Sequence, residues 1–209
     1  MNLSLTFDNG PDLVATPQVL DVLDAAEVKA TFFMLGRMLA KPGARTIADD
    51  VLARGHRIGN HTWSHRQLGS LPPAEAVQEI DRTQALLGDL TDADRLFRPA
   101  AGGGVIGPQM MSPAASDRLI ADRYSCVLWN SVPRDWEDIE GWPKTALADT
   151  RRLAWPVVVV HDLPTGAMRR LAEFLDEAKD LGAEFTQAFP ADCTPIWRGE
   201  RQWPMPMVV

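Results

Sequence analysis

Two histidines, His61 and His65, lie four residues apart in the segment HTWSH and are the strongest metal-ligand candidates in the sequence. If this segment begins a helix, side chains four residues apart project from the same face, and both imidazoles can bind one divalent ion. The same spacing also suits histidines that only cap a helix or bond to the backbone, because short motifs often match by chance. The pair alone therefore leaves both interpretations open.

Other polar residues stand where predicted strands end, which is where barrel enzymes carry their catalytic groups. In chain order they are Asp8 and Asn9, the two histidines, Arg98, Asp135 and Trp136, and His161. Four of these residues also have a purely structural interpretation. Asp8 would then stabilise a turn, Arg98 would lie solvated at the surface, Asp135 would cap a helix and His161 would be buried in the core. Because all these segments converge on one edge of the sheet, we predict a site there. His56 precedes its strand at the opposite end and is expected to be structural.

Seven apolar segments are predicted to form the strands that position these residues. They are LSLTF (3–7), ATFFML (30–35), HRIGN (56–60), RLFRP (95–99), SCVLWNSV (125–132), PVVVVH (156–161) and AEFTQAF (183–189). Continuous apolar runs such as Val157 to Val160 are typical of strands buried on both faces of a parallel sheet. Strands that alternate with helices predict an α/β fold, either an open doubly wound sheet or a barrel.

Three helices are predicted between these strands. Thr16 and Pro17 suit the N-cap and first residue of one helix. Ser70, with the two prolines that follow, opens another that ends near Gly88. A third has apolar residues at three- and four-residue steps and ends at Gly182, a typical C-terminal residue.

Composition limits the classes of protein that the chain can be. Its 209 residues are enough for one domain, which we place at 1–209, with a core that needs no disulfide or metal to hold it together. The formal charge of −7 argues against nucleic acid or an anionic membrane as partner, and no apolar run reaches the length of a membrane-spanning helix. The first strand begins almost at once, without a signal peptide, so we expect a cytoplasmic protein.

The sequence resembles the polysaccharide deacetylases (carbohydrate esterase family 4, the NodB homology domain) along nearly its whole length. The segment GHRIGNHTWSH is similar to that family's second motif almost letter for letter. The similar segments elsewhere are LTFDNGP for the first motif, FRPAAG for the third, PRDW for the fourth and VVVVHD for the fifth. Of these, the third and fourth are the least well preserved.

The resemblance implies a distorted (β/α)7 TIM-like barrel and a metal-dependent hydrolase. Enzymes of that family remove acetyl groups from N-acetylated, or sometimes O-acetylated, carbohydrate. The implied cofactor is a divalent ion, with zinc expected and cobalt or nickel as alternatives. The implied partner is a carbohydrate with acetamido groups.

The resemblance also implies a role for each residue at the predicted site. Asp8 would be the catalytic base, held in position by Arg98. His161 would be the general acid, tuned by Asp135. The implied metal ligands are His61, His65 and Asn9, and the implied substrate-binding residues are Ala101, whose backbone N–H would face the oxyanion, and Trp136.

Three positions depart from the family pattern. Asn9 stands where the family has a second acid, Ala101 replaces an aromatic residue, and Val132 replaces an acid of the fourth motif. A neutral amide binds a divalent ion less well than a carboxylate, so we expect weak metal binding. These departures leave two alternatives to an active deacetylase: a degenerate homologue that binds carbohydrate without cleaving it, and a deacylase of a small soluble amide.

Overall fold

In the computed structural model, which describes residues 1–203, short parallel strands alternate with helices around one sheet. The strands are β1 (Asn2–Asp8), β2 (Thr31–Met34), β3 (Arg57–Asn60), β4 (Leu96–Phe97), β5 (Ser125–Cys126), β6 (Val157–His161), β7 (Glu184–Phe185), β8 (Ile196–Trp197) and β9 (Glu200–Arg201). The helices are α1 (Ala15–Ala25), α2 (Gly36–Leu39), α3 (Ala44–Ala53), α4 (Pro73–Leu87), α5 (Pro113–Ala121), α6 (Trp142–Arg152) and α7 (Leu171–Asp180). The last six residues of the predicted domain, 204–209, lie outside the described residues.

The parallel strands close into a ring. Their order is β6-β1-β2-β3-β4-β5, and β7 pairs with the first residues of β1. The segment after β5 returns to β6, because Ser131 N–H donates to Val157 O at 3.2 Å and Val159 N–H donates to Ser131 O at 3.1 Å. All seven predicted strands are present, so the prediction of a barrel is confirmed and the open-sheet alternative is wrong. The barrel is distorted because β4, β5 and β7 have only two residues each.

Buried apolar side chains on both faces of the strands stabilise the barrel. Val157, Val158, Val159 and Val160 are all buried, as the apolar run predicts. The rings of Phe7 in β1 and Phe32 in β2 stack at 4.8 Å on adjoining strands. Burying one such side chain stabilises the folded state by roughly 1.5–3 kcal/mol. The first strand is therefore fixed firmly, together with the carboxylate at its end.

The helices follow the predictions except at the start of α1. Helix α4 begins at Pro73 and ends before Gly88, and Gly182 follows α7 with φ +81, as predicted. Helix α1 begins at Ala15, and Asp12 Oδ1 accepts the N–H groups of Val14 and Ala15. The prediction of Thr16 as the N-cap is wrong.

Candidate active site

Asp8 ends strand β1 as a buried carboxylate held by Arg98. Arg98 Nη1 donates to Asp8 Oδ1 at 2.9 Å, and His61 Nε2 lies 3.5 Å from Asp8 Oδ2. Burial raises the pKa of Asp8, but the charge and hydrogen bond of Arg98, with smaller contributions from the neighbouring His61 and His161, outweigh burial and hold that pKa below its ordinary value. Asp8 is therefore ionised at neutral pH and able to accept a proton.

Arg98 is fully buried rather than solvated, which rules out the surface alternative for this residue. Its Nε donates to Val127 O at 3.2 Å, its Nη2 donates to Leu128 O at 3.3 Å, and its Nη1 also donates to Thr6 Oγ1 at 2.7 Å. The guanidinium lies 4.0 Å from the centre of the Phe33 ring. A guanidinium bonded on every side is rigid, so it fixes the orientation of the Asp8 carboxylate.

His61 and His65 lie together but on a loop, not at the start of a helix as predicted. Thr62 and His65 have φ values of +68 and +67, which no helix contains. The two rings nevertheless meet edge to face with centres 5.0 Å apart. The correction concerns the backbone only, because the loop brings the two imidazoles to one place.

The surroundings of both imidazoles favour the neutral form. Burial lowers the pKa of His61 to about 4 and also lowers the pKa of His65. His61 Nδ1 is 2.9 Å from the carbonyl oxygen of Arg98, so Nδ1 carries the proton and Nε2 keeps its lone pair. Neutral imidazole with a free ring nitrogen is the form that binds metal.

Two buried polar atoms at the site are free to bind an ion. Among the described residues, neither Asn9 Oδ1 nor His61 Nε2 has a hydrogen-bond partner. Asn9 adopts φ +76, a conformation that asparagine tolerates better than most residues. An unpaired buried polar atom costs free energy, and a bound cation would remove that cost. His61, His65 and Asn9 therefore fit a divalent ion.

The ligand set is unusual for its lack of an acid. Residues 1–203 contain no group of three or more His, Cys, Asp or Glu side chains arranged to hold a metal ion. The candidate set consists instead of two imidazoles and an amide oxygen. All three donors are neutral, so the site offers a divalent ion less charge than a carboxylate site does.

His161 ends strand β6 and is paired with Asp135. Asp135 is buried; its Oδ1 lies 2.9 Å from His161 Nδ1, and its Oδ2 accepts the N–H of His161 at 3.0 Å. Burial lowers the pKa of His161, but the hydrogen bond and charge of Asp135, together with Asp8 and Asp162, raise that pKa above its ordinary value. The Asp135 bond occupies Nδ1, so Nε2 is the nitrogen left to act on a substrate.

A cavity of about 620 Å³ joins these groups. Its lining includes seven of the nine predicted residues, and the other two, Arg98 and Asp135, contact Asp8 and His161 from below. Trp136 is 45% exposed and stands edge-on to the His161 ring, with ring centres 5.2 Å apart. The lining residues are Asp8, Asn9, His61, His65, Ala101, Gly103, Trp129, Val132, Arg134, Trp136, Val159, His161 and Leu163.

Asp162, directly after His161, is a buried carboxyl group beside the cavity, and no role was predicted for it from the sequence. Thr16 Oγ1 donates to its Oδ2 at 2.5 Å, and within residues 1–203 its Oδ1 has no hydrogen-bond partner. Burial raises the pKa of Asp162 to about 7. The side chain packs so closely under Gly10 that a Cβ at residue 10 would overlap it. The available signal was an acid directly after the predicted histidine in VVVVHD.

Comparison with known proteins gives one family. A family model described as polysaccharide deacetylase matches residues 2–107. The chain is 31% identical over 191 residues to a peptidoglycan-N-acetylglucosamine deacetylase of Bacillus cereus, covering 88% of this chain and 84% of that protein. It is 34% identical over 183 residues to the peptidoglycan-N-acetylmuramic acid deacetylase PdaC of Bacillus subtilis, covering 86% of this chain and 36% of that protein.

The fold is shared with solved structures of the same kind. A family 4 acetyl xylan esterase from Clostridium thermocellum, solved with a cobalt ion, superposes with a TM-score of 0.71 at 27% identity, covering 89% of this chain and 87% of that chain. The chain spans 36% to 65% of the length of several curated relatives that it matches. Within residues 1–203, no helix is both long enough and apolar enough to cross a membrane. From its sequence, its fold and these matches, the chain belongs to the polysaccharide deacetylase family.

Proposed function

We propose that the protein is a metal-dependent hydrolase that removes acetyl groups from N-acetylated carbohydrate. The observation that carries this proposal is the cavity in which an ionised Asp8 and a histidine with raised pKa, His161, flank two unpaired metal-ligand atoms. Amide hydrolysis needs a base for the attacking water and an acid for the departing nitrogen. This cavity supplies both.

The metal would be held by His61, His65 and Asn9. When bound, a divalent ion supplies Lewis acidity at the acetamido carbonyl and lowers the pKa of water. Zinc suits a site with two imidazoles, and cobalt is supported by the ion in the acetyl xylan esterase structure. With Asn9 in place of an acid, we expect this ion to be held weakly.

The reaction follows from the protonation states of the protein groups. Asp8 accepts a proton from the attacking water, and Arg98 keeps the Asp8 carboxylate ionised and oriented. His161 donates a proton from Nε2 to the amide nitrogen as the C–N bond breaks, while Asp135 stabilises the imidazolium. The products are acetate and a free amine on the sugar.

The substrate class follows from the names of the relatives. They are deacetylases of N-acetylglucosamine or N-acetylmuramic acid in peptidoglycan, and of chitooligosaccharides. Neither a carbohydrate-binding homologue without activity nor a deacylase of small amides is favoured, because the relatives are named as deacetylases of peptidoglycan and chitooligosaccharides. We therefore place acetylated amino sugars first among the substrates.

The test is hydrolysis of N-acetylglucosamine oligomers by metal-stripped protein, with zinc, cobalt or nickel restored separately. We expect acetate release only after an ion is restored. Peptidoglycan fragments with N-acetylmuramic acid, tested in parallel, distinguish the two sugars. If no restored ion supports release from either substrate, the proposed function is wrong.

A further inference from the structure

The loop that carries His61 and His65 has a backbone that its own sequence does not favour. Thr62 and His65 both adopt positive φ, a region that a β-branched residue such as threonine strongly disfavours. Such a conformation persists only where surrounding contacts over-determine it. The contacts that hold this loop therefore also determine where the two imidazoles lie.

Glu79 of α4 makes two of these contacts. It is a buried side chain, 8% exposed, outside the cavity lining. Its Oε2 accepts the N–H of Ser64 at 2.7 Å, and its Oε1 accepts the Ser64 hydroxyl at 2.8 Å. Both oxygens of one carboxylate are thus committed to the residue that directly precedes His65.

The neighbours of Glu79 on α4 hold the same loop. Asn60 Nδ2 donates to Ile80 O at 2.9 Å, while Asn60 Oδ1 accepts the N–H of Thr62 at 2.9 Å. The guanidinium of Arg82 lies 3.8 Å from the centre of the Trp63 ring. Glu79, Ile80 and Arg82 of α4 therefore all contact the loop or the Asn60 side chain at its start. Of these contacts, that of Glu79 is nearest the second histidine.

We propose that Glu79 is a positioning residue for the two histidines. The inference rests on the proposed metal site, because it concerns the geometry of that site's ligands. Loss of the carboxylate would leave the Ser64 N–H without its acceptor and would let the strained backbone relax. The His61 and His65 nitrogens would then lose their shared geometry. Groups that hydrogen-bond to metal ligands typically contribute 10–100-fold to metal affinity, and for Glu79, which acts through Ser64, we expect a loss near the lower end of that range.

The test measures zinc affinity, by competition with a chromophoric chelator, in the parent protein and three variants. Glu79→Ala removes both hydrogen bonds and should weaken zinc binding at least about tenfold. Glu79→Gln keeps an acceptor for the N–H and a donor for the hydroxyl oxygen, so it should bind zinc within about threefold of the parent. The matched control is Asp81→Asn on the same helix, whose carboxylate pairs with Arg118 of α5 at 2.8 Å, and it should bind zinc like the parent.

A purely structural role predicts a different pattern. In that case Glu79→Ala would lower the unfolding temperature but bind zinc as tightly as the parent, and this result would overturn the proposal. An equal loss in Asp81→Asn would overturn it as well. Should Glu79→Ala not fold, Ser64→Ala removes the hydroxyl bond alone and should weaken zinc binding about three- to tenfold; unchanged binding in that variant would overturn the proposal.

A second readout separates this proposal from the proposed function. Amide hydrogen exchange of the metal-free proteins reports on the loop whether or not zinc binds. We expect faster exchange over residues 61–65 in Glu79→Ala, with the strands unchanged. If the parent binds no ion, the proposed metal site is wrong, and exchange alone then decides whether Glu79 fixes the loop: unchanged exchange overturns the positioning role.

Discussion

Asp8 and His161 are register partners in the parallel pair of strands β1 and β6. The proposed base and acid thus stand on adjoining strands at the same height, fixed by the ladder of hydrogen bonds beneath them. Their side chains meet in one cavity, and each charge affects the pKa of the other. The two groups should therefore act as one unit.

Removing either group should abolish most of the activity. Asp8→Asn keeps an acceptor oxygen for Arg98 but cannot accept a proton, so kcat should fall about 10²–10⁴-fold. His161→Ala should lower kcat by a similar factor. In the double variant, the loss of kcat should be much smaller than the product of the two single losses. Acetate release measures these losses, and circular dichroism checks the fold. A loss of only a few-fold in both single variants would contradict the assigned roles.

The Asp135 carboxylate should set the alkaline limit of activity. His161 must be protonated to donate, so activity falls as pH rises through its raised pKa. Asp135→Asn removes the charge that raises this pKa, so the alkaline limb of the kcat profile should move to lower pH. His161→Ala, the control, should show residual activity without that limb. An unmoved limb in Asp135→Asn would show that another group controls it.

A carboxylate at residue 9 should strengthen metal binding. Asn9→Asp is nearly isosteric and gives the ion the anionic oxygen that the present ligand set lacks. Titration calorimetry should show affinity raised at least about tenfold, or roughly 1.4 kcal/mol. The metal-free variant should unfold at a lower temperature than the parent, because a second carboxylate near Asp8 repels it. If affinity is unchanged, residue 9 does not contact the ion.

Asp162 should make the metal-free protein less stable as pH rises. Its pKa is about 7 in the folded protein against an ordinary value of 3.8, so folding favours the protonated form. Its contribution to stability is present at low pH and is lost between about pH 4 and 7 as the unfolded chain ionises first. Asp162→Asn cannot ionise and keeps an acceptor for Thr16. Urea unfolding measures the free energy of unfolding of the variant and of the parent at each pH. Between pH 5 and pH 8, the value for Asp162→Asn should rise relative to that of the parent by up to about 3 kcal/mol.

The positions of the site residues were predictable because strong local patterns precede them. His161 follows four valines, and Asp8 follows a short apolar strand, so the strand ends and their shared edge could be located from sequence. A proline explains why one strand is shorter than predicted. Pro99 lacks an N–H, which prevents β4 from extending to residue 99 as predicted.

Local conformation was harder to predict where distant residues determine it. The loop at 61–65 takes its shape from contacts with α4, and no pattern within HTWSH contains that information. Thr16 is not the N-cap because α1 begins before it, at Ala15, and its hydroxyl donates instead to Asp162, 146 residues later in the chain. The hairpin of β8 and β9 was also missed, although Arg198 and Gly199, with φ of +50 and +84, form its turn and the glycine was a usable signal.

The most direct test of a metal-dependent deacetylase at this site is one paired measurement. Zinc content and acetate release are determined on the same samples of the parent and the His61→Ala/His65→Ala double variant, after dialysis against zinc. Because both histidines lie on a loop at the end of the barrel, the variant should fold, as circular dichroism can verify. We expect bound zinc and acetate release to disappear together. Acetate release at the parent's rate from a variant without zinc would contradict a metal-dependent mechanism at this site.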